Sequence, residues 1–163
     1  MERRGYQVVA FLDDFLIVHD TMNGCTQGLF ELIALLRRLG FAIAWDKTVG
    51  PTQRLTYLGL QIDSVEFSLS LPQGKESSLY DLLHSFLHRS RASCRQLQQL
   101  AGKLSWAAHV VNRGRINLQR VLDHLRPLKK PNHKTCLTSQ FHLDIRLWQQ
   151  FLPAFNCKYL YKP

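Results

Sequence analysis

Tyr6-Gln7-Val8-Val9-Ala10-Phe11-Leu12-Asp13-Asp14-Phe15-Leu16-Ile17-Val18 decides how the rest of the chain is understood. Two apolar, β-rich runs flank a short polar break, the pattern of a β-hairpin. The break is Asp13-Asp14. A tight hairpin turn favours Asn-Gly or Asp-Gly, because its central residues need positive φ. Two adjacent acids repel and bring no glycine. A local rule broken without structural gain points to a functional site. Paired carboxylates on a stiff ribbon suit a hard divalent cation, which takes oxygen ligands and substrate phosphates. Two such ions, about 3.5–4 Å apart, stabilise the attacking and leaving oxygens of an in-line phosphoryl transfer. The plainer alternative is a solvated acidic turn.

Working outward, a helix is predicted over residues 24–39, with Leu29, Leu32, Ile33, Leu36 and Leu39 at helical spacing and Phe30 and Leu35 widening the stripe. Gly40 stops it. Phe41-Ala42-Ile43-Ala44 reads as a strand, Gly50-Pro51 as a turn, and Leu55 to Ile62 as a strand broken at Gly59. Val65, Phe67, Leu69 and Leu71 alternate, predicting another strand or hairpin arm. From Leu71-Pro72 onward the pattern is helical throughout. Helices are expected over 75–89 (Leu79, Leu82, Leu83, Phe86 and Leu87 inward), from a Ser93/Gln96 capping box to Val111 (Leu97, Leu100, Ala101, Leu104 and Ala108 inward), over 116–126, and over 138–152 (Phe141, Ile145, Trp148 and Leu152). Leu128 to Lys134 reads as a basic linker. The fold class is α+β.

Of 163 residues, 21 are Lys or Arg and 12 are acidic, a formal charge of +9. Such a chain is drawn to polyanions, nucleic acid above all, with a membrane surface the weaker alternative. No segment has the apolar run needed to span a bilayer. Cys25, Cys94, Cys136 and Cys157 are scattered and form no CxxC pair. That argues against a zinc site and a disulfide framework, and fits a reducing, intracellular compartment. His84 and His88 have the spacing of a helical metal pair, but no third ligand lies nearby. The chain opens on its most apolar strand with no signal peptide, so a fragment of a longer protein or a truncated gene model is expected.

Phe11-Leu12-Asp13-Asp14 is similar to the aromatic-x-Asp-Asp box of reverse transcriptases, and the downstream elements keep that family's order. A helix leads to Leu39-Gly40-Phe41 and to Lys47. Thr56-Tyr57-Leu58-Gly59-Leu60 then resembles the primer grip, and Leu97-Gln98-Gln99-Leu100-Ala101-Gly102-Lys103-Leu104 resembles the thumb. The pattern of Lys47-Thr48, Gly50-Pro51, Leu58-Gly59, Leu71-Pro72 and Gly114-Arg115 most resembles the tyrosine-recombinase-type (DIRS-like) retrotransposons. The resemblance covers about residues 6–152. It implies a partial palm (1–71), a helical thumb (72–127), and a basic linker with a connecting helix (128–163) toward a ribonuclease H region.

The resemblance also implies roles. Asp13 and Asp14 are the expected ligands for two Mg2+ or Mn2+ ions, and Lys47 is the expected general acid for the departing pyrophosphate. Tyr57, Leu58, Gly59 and Leu60 are expected on the primer backbone, where glycine permits close approach. Gln96, Gln99 and Lys103 on the thumb helix, with Arg113 and Arg115, are expected to hold phosphate and sugar without reading sequence. The implied partners are an RNA or DNA template with its primer, and deoxynucleoside triphosphates. The family's third aspartate, carried on an upstream strand, and its fingers have no counterpart here, and Phe11 replaces the usual Tyr. The chain alone is therefore not expected to polymerise. A non-catalytic nucleic-acid-binding remnant of a retroelement, and a small structural domain with a fortuitous acidic hairpin, are the alternative readings.

Overall fold

The computed structural model describes residues 6–111, 114 and 118–160. It is α+β, and its residues form two compact units, Met1–Leu58 and Gly59–Pro163. The division falls ahead of Leu71–Pro72, where the sequence changes character, because strands at Leu60–Asp63 and Ser68–Ser70 belong with the helices that follow them.

The first unit opens with an antiparallel hairpin, β1 (Gln7–Phe11) and β2 (Asp14–Val18), in the register Gln7↔Val18, Val9↔Leu16 and Phe11↔Asp14. Helix α1 (Met22–Arg38) starts at Thr21, whose Oγ1 accepts from the Gly24 N–H at 3.1 Å. It ends where Gly40 takes φ +86° and the Phe41 N–H donates to the Leu36 carbonyl at 3.0 Å, a Schellman termination. Leu32 and Gly28 are its buried residues. The strand expected at Phe41–Ala44 does not form: no neighbouring strand pairs with it, and the chain goes on into a 3₁₀ turn at Trp45–Lys47. Strand β3 (Arg54–Tyr57) closes the unit.

In the second unit, β4 (Leu60–Asp63), β5 (Ser68–Ser70) and β8 (Lys158–Tyr159) lie side by side and antiparallel. Of the strand expected over Val65–Leu71, Ser68–Ser70 forms as β5, while Val65 and Phe67 stay outside it. The Asp63 carboxylate accepts from the Val65 and Glu66 N–H groups at 2.9 and 3.0 Å, which turns the chain and leaves Phe67 at φ +46°.

The helices are α2 (Gln73–Leu87), α3 (Cys94–Ala107), α4 (Gln119–Leu125) and α5 (Ser139–Phe155). Their apolar stripes meet in one core around Leu83, Phe86, Leu97, Leu100, Leu104, Phe141, Ile145, Trp148 and Leu152, all at or below 1% exposure. The expected all-helical character is interrupted by β8 and by a small ribbon, β6 (Arg91–Ser93) with β7 (Lys134–Cys136). Three-residue strands carry too little periodicity to be seen in sequence. Helix α5 runs past the expected end at 152, with Pro153 inside its last turn. Among the described residues, no helix is long and apolar enough to cross a membrane.

Candidate functional site

The hairpin turn falls at Leu12–Asp13, one residue earlier than the sequence break implies, so Asp13 sits in the turn and Asp14 is the first residue of β2. Leu12 takes φ +54° and is 86% exposed. A leucine in the left-handed region costs about 1–2 kcal/mol, and such strain persists only where the surroundings impose it. Both carboxylates are exposed, and neither forms an ion pair among the described residues. The register places Asp14 on the same face as Phe11, Val9, Leu16 and Val18. Helix α1 covers the other face, where Gly28 lies against Tyr6 and Ile17. Tyr57 Oη donates to the Asp14 carbonyl at 3.3 Å, tying β3 to the base of the acidic turn. The pair is thus held by a strained turn, a fixed register and a tyrosine, and stays open to solvent. Among the described residues, no group of three or more His, Cys, Asp or Glu side chains gathers to hold a metal.

Lys47 lies exposed on the 3₁₀ turn and bonds to neither carboxylate. Leu58 and Gly59 are both at positive φ, +48° and +82°. A type I′ turn requires positive φ at both of its central residues. The Leu60 side chain packs against the helical core, so only its backbone is available to a ligand.

On α3, the predicted contacts have different fates. The Gln96 side chain is already used: its Oε1 accepts from the Ser93 N–H at 2.9 Å while Ser93 Oγ accepts from the Gln96 N–H. This capping box removes Gln96 from the set of free contacts. Gln99 is exposed and unpartnered among the described residues, and Gly102 one turn on has open space beside it. Lys103 Nζ donates to Ser78 Oγ at 3.1 Å, binding α3 to α2. Arg113 and Arg115 lie outside the described residues.

Sequence reasoning missed Lys75. Its ammonium sits 4.6 Å over the Trp106 ring and 3.4 Å from the Gly59 carbonyl, and a Cβ on Gly59 would collide with it. No local spacing links Lys75 to a tryptophan on the next helix, so nothing in the sequence could have flagged it. Gln99, Lys103 and Trp106 recur at three- and four-residue steps, which puts them on one face of α3.

The chain is similar in structure to the foamy viral protease–reverse transcriptase solved in complex with double-stranded DNA (TM-score 0.70, 15% identity) and in complex with an RNA/DNA hybrid (TM-score 0.73, 14% identity). The fold is reverse-transcriptase-like. Each match covers 91% of this chain and 24% and 19%, respectively, of the solved one, so the chain spans about a quarter or less of those proteins. No family profile matches the sequence, and no curated protein matches it. In this reverse-transcriptase-like fold the acidic hairpin belongs to the first unit, and the Gly59–Lys75–Trp106 cluster and the α3 face belong to the second.

Proposed function

We propose that this chain supplies the Asp-Asp part of the palm and the thumb of a retroelement reverse transcriptase, which extends a primer 3′-hydroxyl by template-directed nucleotidyl transfer. The observation that carries this reading is the exposed carboxylate couple, unpaired among the described residues, on a strained hairpin within a reverse-transcriptase-like fold. Its donor set is all oxygen, which fits Mg2+ or Mn2+. Asp13 and Asp14 would hold the ions, and the third carboxylate would come from elsewhere in a longer polypeptide. When bound, the ions supply charge stabilisation at the attacking and leaving oxygens. Lys47 would deliver a proton to the departing pyrophosphate. The backbone of the Tyr57–Leu60 segment would bear on the primer. Gln99, Lys103 and the open ground at Gly102 would lie along the duplex, holding it by shape and backbone, as an RNA–DNA hybrid must be held.

We place the parent element among the tyrosine-recombinase-type (DIRS-like) retrotransposons, on the order of its motifs, with a ribonuclease H region following. The test is primer extension by the longer polypeptide containing this chain. Asp13→Asn should abolish extension and leave duplex binding nearly intact. Extension surviving that change would overturn the catalytic reading. The second reading is a non-catalytic nucleic-acid-binding remnant. It predicts duplex binding with no extension by any longer form.

A further inference from the structure

Charge is distributed unevenly along the chain. Residues 1–81 hold seven Lys and Arg against ten acids, a net charge of −3, and residues 82–163 hold fourteen against two, a net charge of +12. Both acids of the second stretch are already engaged: Asp123 with Arg126 at 3.2 Å and Asp144 with Arg120 at 2.9 Å. Nothing is left there to neutralise the remaining cations.

The basic segment 128–134 reads in sequence as a solvated linker, but the fold fixes it in place. The Cys94 N–H donates to the His133 carbonyl at 2.8 Å, the Arg95 N–H to the Pro131 carbonyl at 3.1 Å, and the His133 N–H to the Lys130 carbonyl at 3.0 Å. Ser93 pairs with Lys134 across the β6–β7 ribbon, and Arg91 with Cys136. Ala92, between them, is 1% exposed and turns inward, so Arg91 and Lys134 share the outward face. Arg95 is exposed at the start of α3. The first N–H groups of that helix are spent on loop carbonyls and on Ser93, so an anion here would be bound by side chains and not by the helix end. Gathering like charges on an ordered ribbon is unfavourable until a polyanion screens them.

We propose that the β6–β7 ribbon end, with Arg91, Arg95, Lys130 and Lys134, is a second phosphate-backbone anchor for duplex nucleic acid, separate from the α3 face. It rests on the nucleic-acid reading of the chain and adds to it a site that grips independently of sequence. Four contacts of this kind make binding strongly salt-dependent, each contributing about −0.9 to the slope of log K against log salt on a DNA duplex.

The experiment is fluorescence anisotropy of the 163-residue chain with a labelled DNA duplex of arbitrary sequence, titrated across salt. The quadruple variant Arg91→Gln/Arg95→Gln/Lys130→Gln/Lys134→Gln should lower the slope by about 3–4. Between about 50 and 200 mM salt it should therefore lose roughly 100-fold less affinity than the parent does. A charge-conserving set (Arg91→Lys, Arg95→Lys, Lys130→Arg, Lys134→Arg) should keep the parental slope. That separates charge from folding, and far-ultraviolet circular dichroism should be the same for all three proteins. Parental binding with an unchanged slope in the Gln variant would overturn the anchor while leaving the reverse-transcriptase reading standing. No duplex binding by the parent at low salt would overturn both. Tighter binding to anionic phosphatidylserine vesicles than to duplex, lost in the Gln variant, would overturn the assignment in favour of a membrane.

Discussion

Gly59→Ala tests the cluster at the start of the helical unit. Gly59 sits at φ +82°, a region an alanine occupies at a cost of about 1–2 kcal/mol. Its new Cβ would collide with Lys75 Nζ and lie 3.1 Å from Trp106 Cζ2. The lysine is the free end of a flexible side chain and would swing away, giving up its place 4.6 Å over the Trp106 ring. An exposed cation–π contact contributes about 0.5–1 kcal/mol. The 3.4 Å bond to the Gly59 carbonyl is too long to add much. The whole substitution should cost about 1.5–3 kcal/mol. Lys75→Ala alone loses only the cation–π contact, and in its background Gly59→Ala has no lysine to displace. The double variant should therefore fall short of the sum of the singles by about 0.5–1 kcal/mol. Thermal unfolding resolves that, at roughly 2–4 °C per kcal/mol for a chain of this size. Strict additivity of the two changes would refute the claim that Lys75 rests against Gly59.

Gly114→Ala puts a Cβ 2.5 Å from Cη2 of the fully buried Trp148, so it should destabilise by about 1–3 kcal/mol in urea unfolding. Asn156 accepts from the Leu71 N–H at 2.8 Å and donates to the Leu71 carbonyl at 3.3 Å and to Glu76 Oε2 at 2.7 Å. Asn156→Asp keeps the first bond, loses both donations and sets two carboxylates face to face. It should cost about 2–3 kcal/mol near neutral pH and less in acid, read from denaturation midpoints. Asp144 is 6% exposed, and burial raises its pKa although Arg120 pulls it back. The folded state therefore holds this proton more tightly than the unfolded chain. Its contribution to stability rises as pH falls through the raised pKa and levels off below the ordinary carboxylate value. Asp144→Asn removes that gain, so the stability of the parent relative to the variant should increase as pH falls from neutral toward the ordinary carboxylate value, measured by urea titration.

The parts of the fold legible in the sequence are those with long periods or local chemistry. Leu79, Leu83 and Phe86, then Leu97, Leu100 and Leu104, then Phe141, Ile145, Trp148 and Leu152 recur at helical spacing and are all buried. The Ser93/Gln96 box marks the start of α3 from four residues alone. Phe41–Ala44 misleads because a strand is decided by its neighbour, which local composition does not contain. At Val65–Phe67 the alternation is outweighed by a single side chain, Asp63, bonding two successive N–H groups. The exposed carboxylate pair of the candidate site stands out in the sequence because it violates turn chemistry. Lys75 does not, because its meaning comes from Trp106, which the chain reaches only after turning back on itself. Gln96 shows the converse: one residue fitted two roles in sequence, and the helix start has claimed it.

Two leucines in left-handed conformation, Leu12 and Leu58, flank the features that the functional reading needs. A hairpin selected for stability alone would put Gly or Asn at position 12, since either relieves the strain and neither loses buried surface at a site 86% exposed. The strain is instead retained beside two acids that have no ion-pair partner among the described residues, where the β1–β2 register and the Tyr57 bond to the Asp14 carbonyl hold the backbone in place. A stiff turn fixes where Asp13 leaves the ribbon, and a glycine would free it. Asp13 and Asp14 are both exposed on this ribbon, and the proposed function gives their fixed position a use. Under that proposal a cation and a triphosphate would meet at a carboxylate already in position, and positioning before the reaction is where such a site gains its rate.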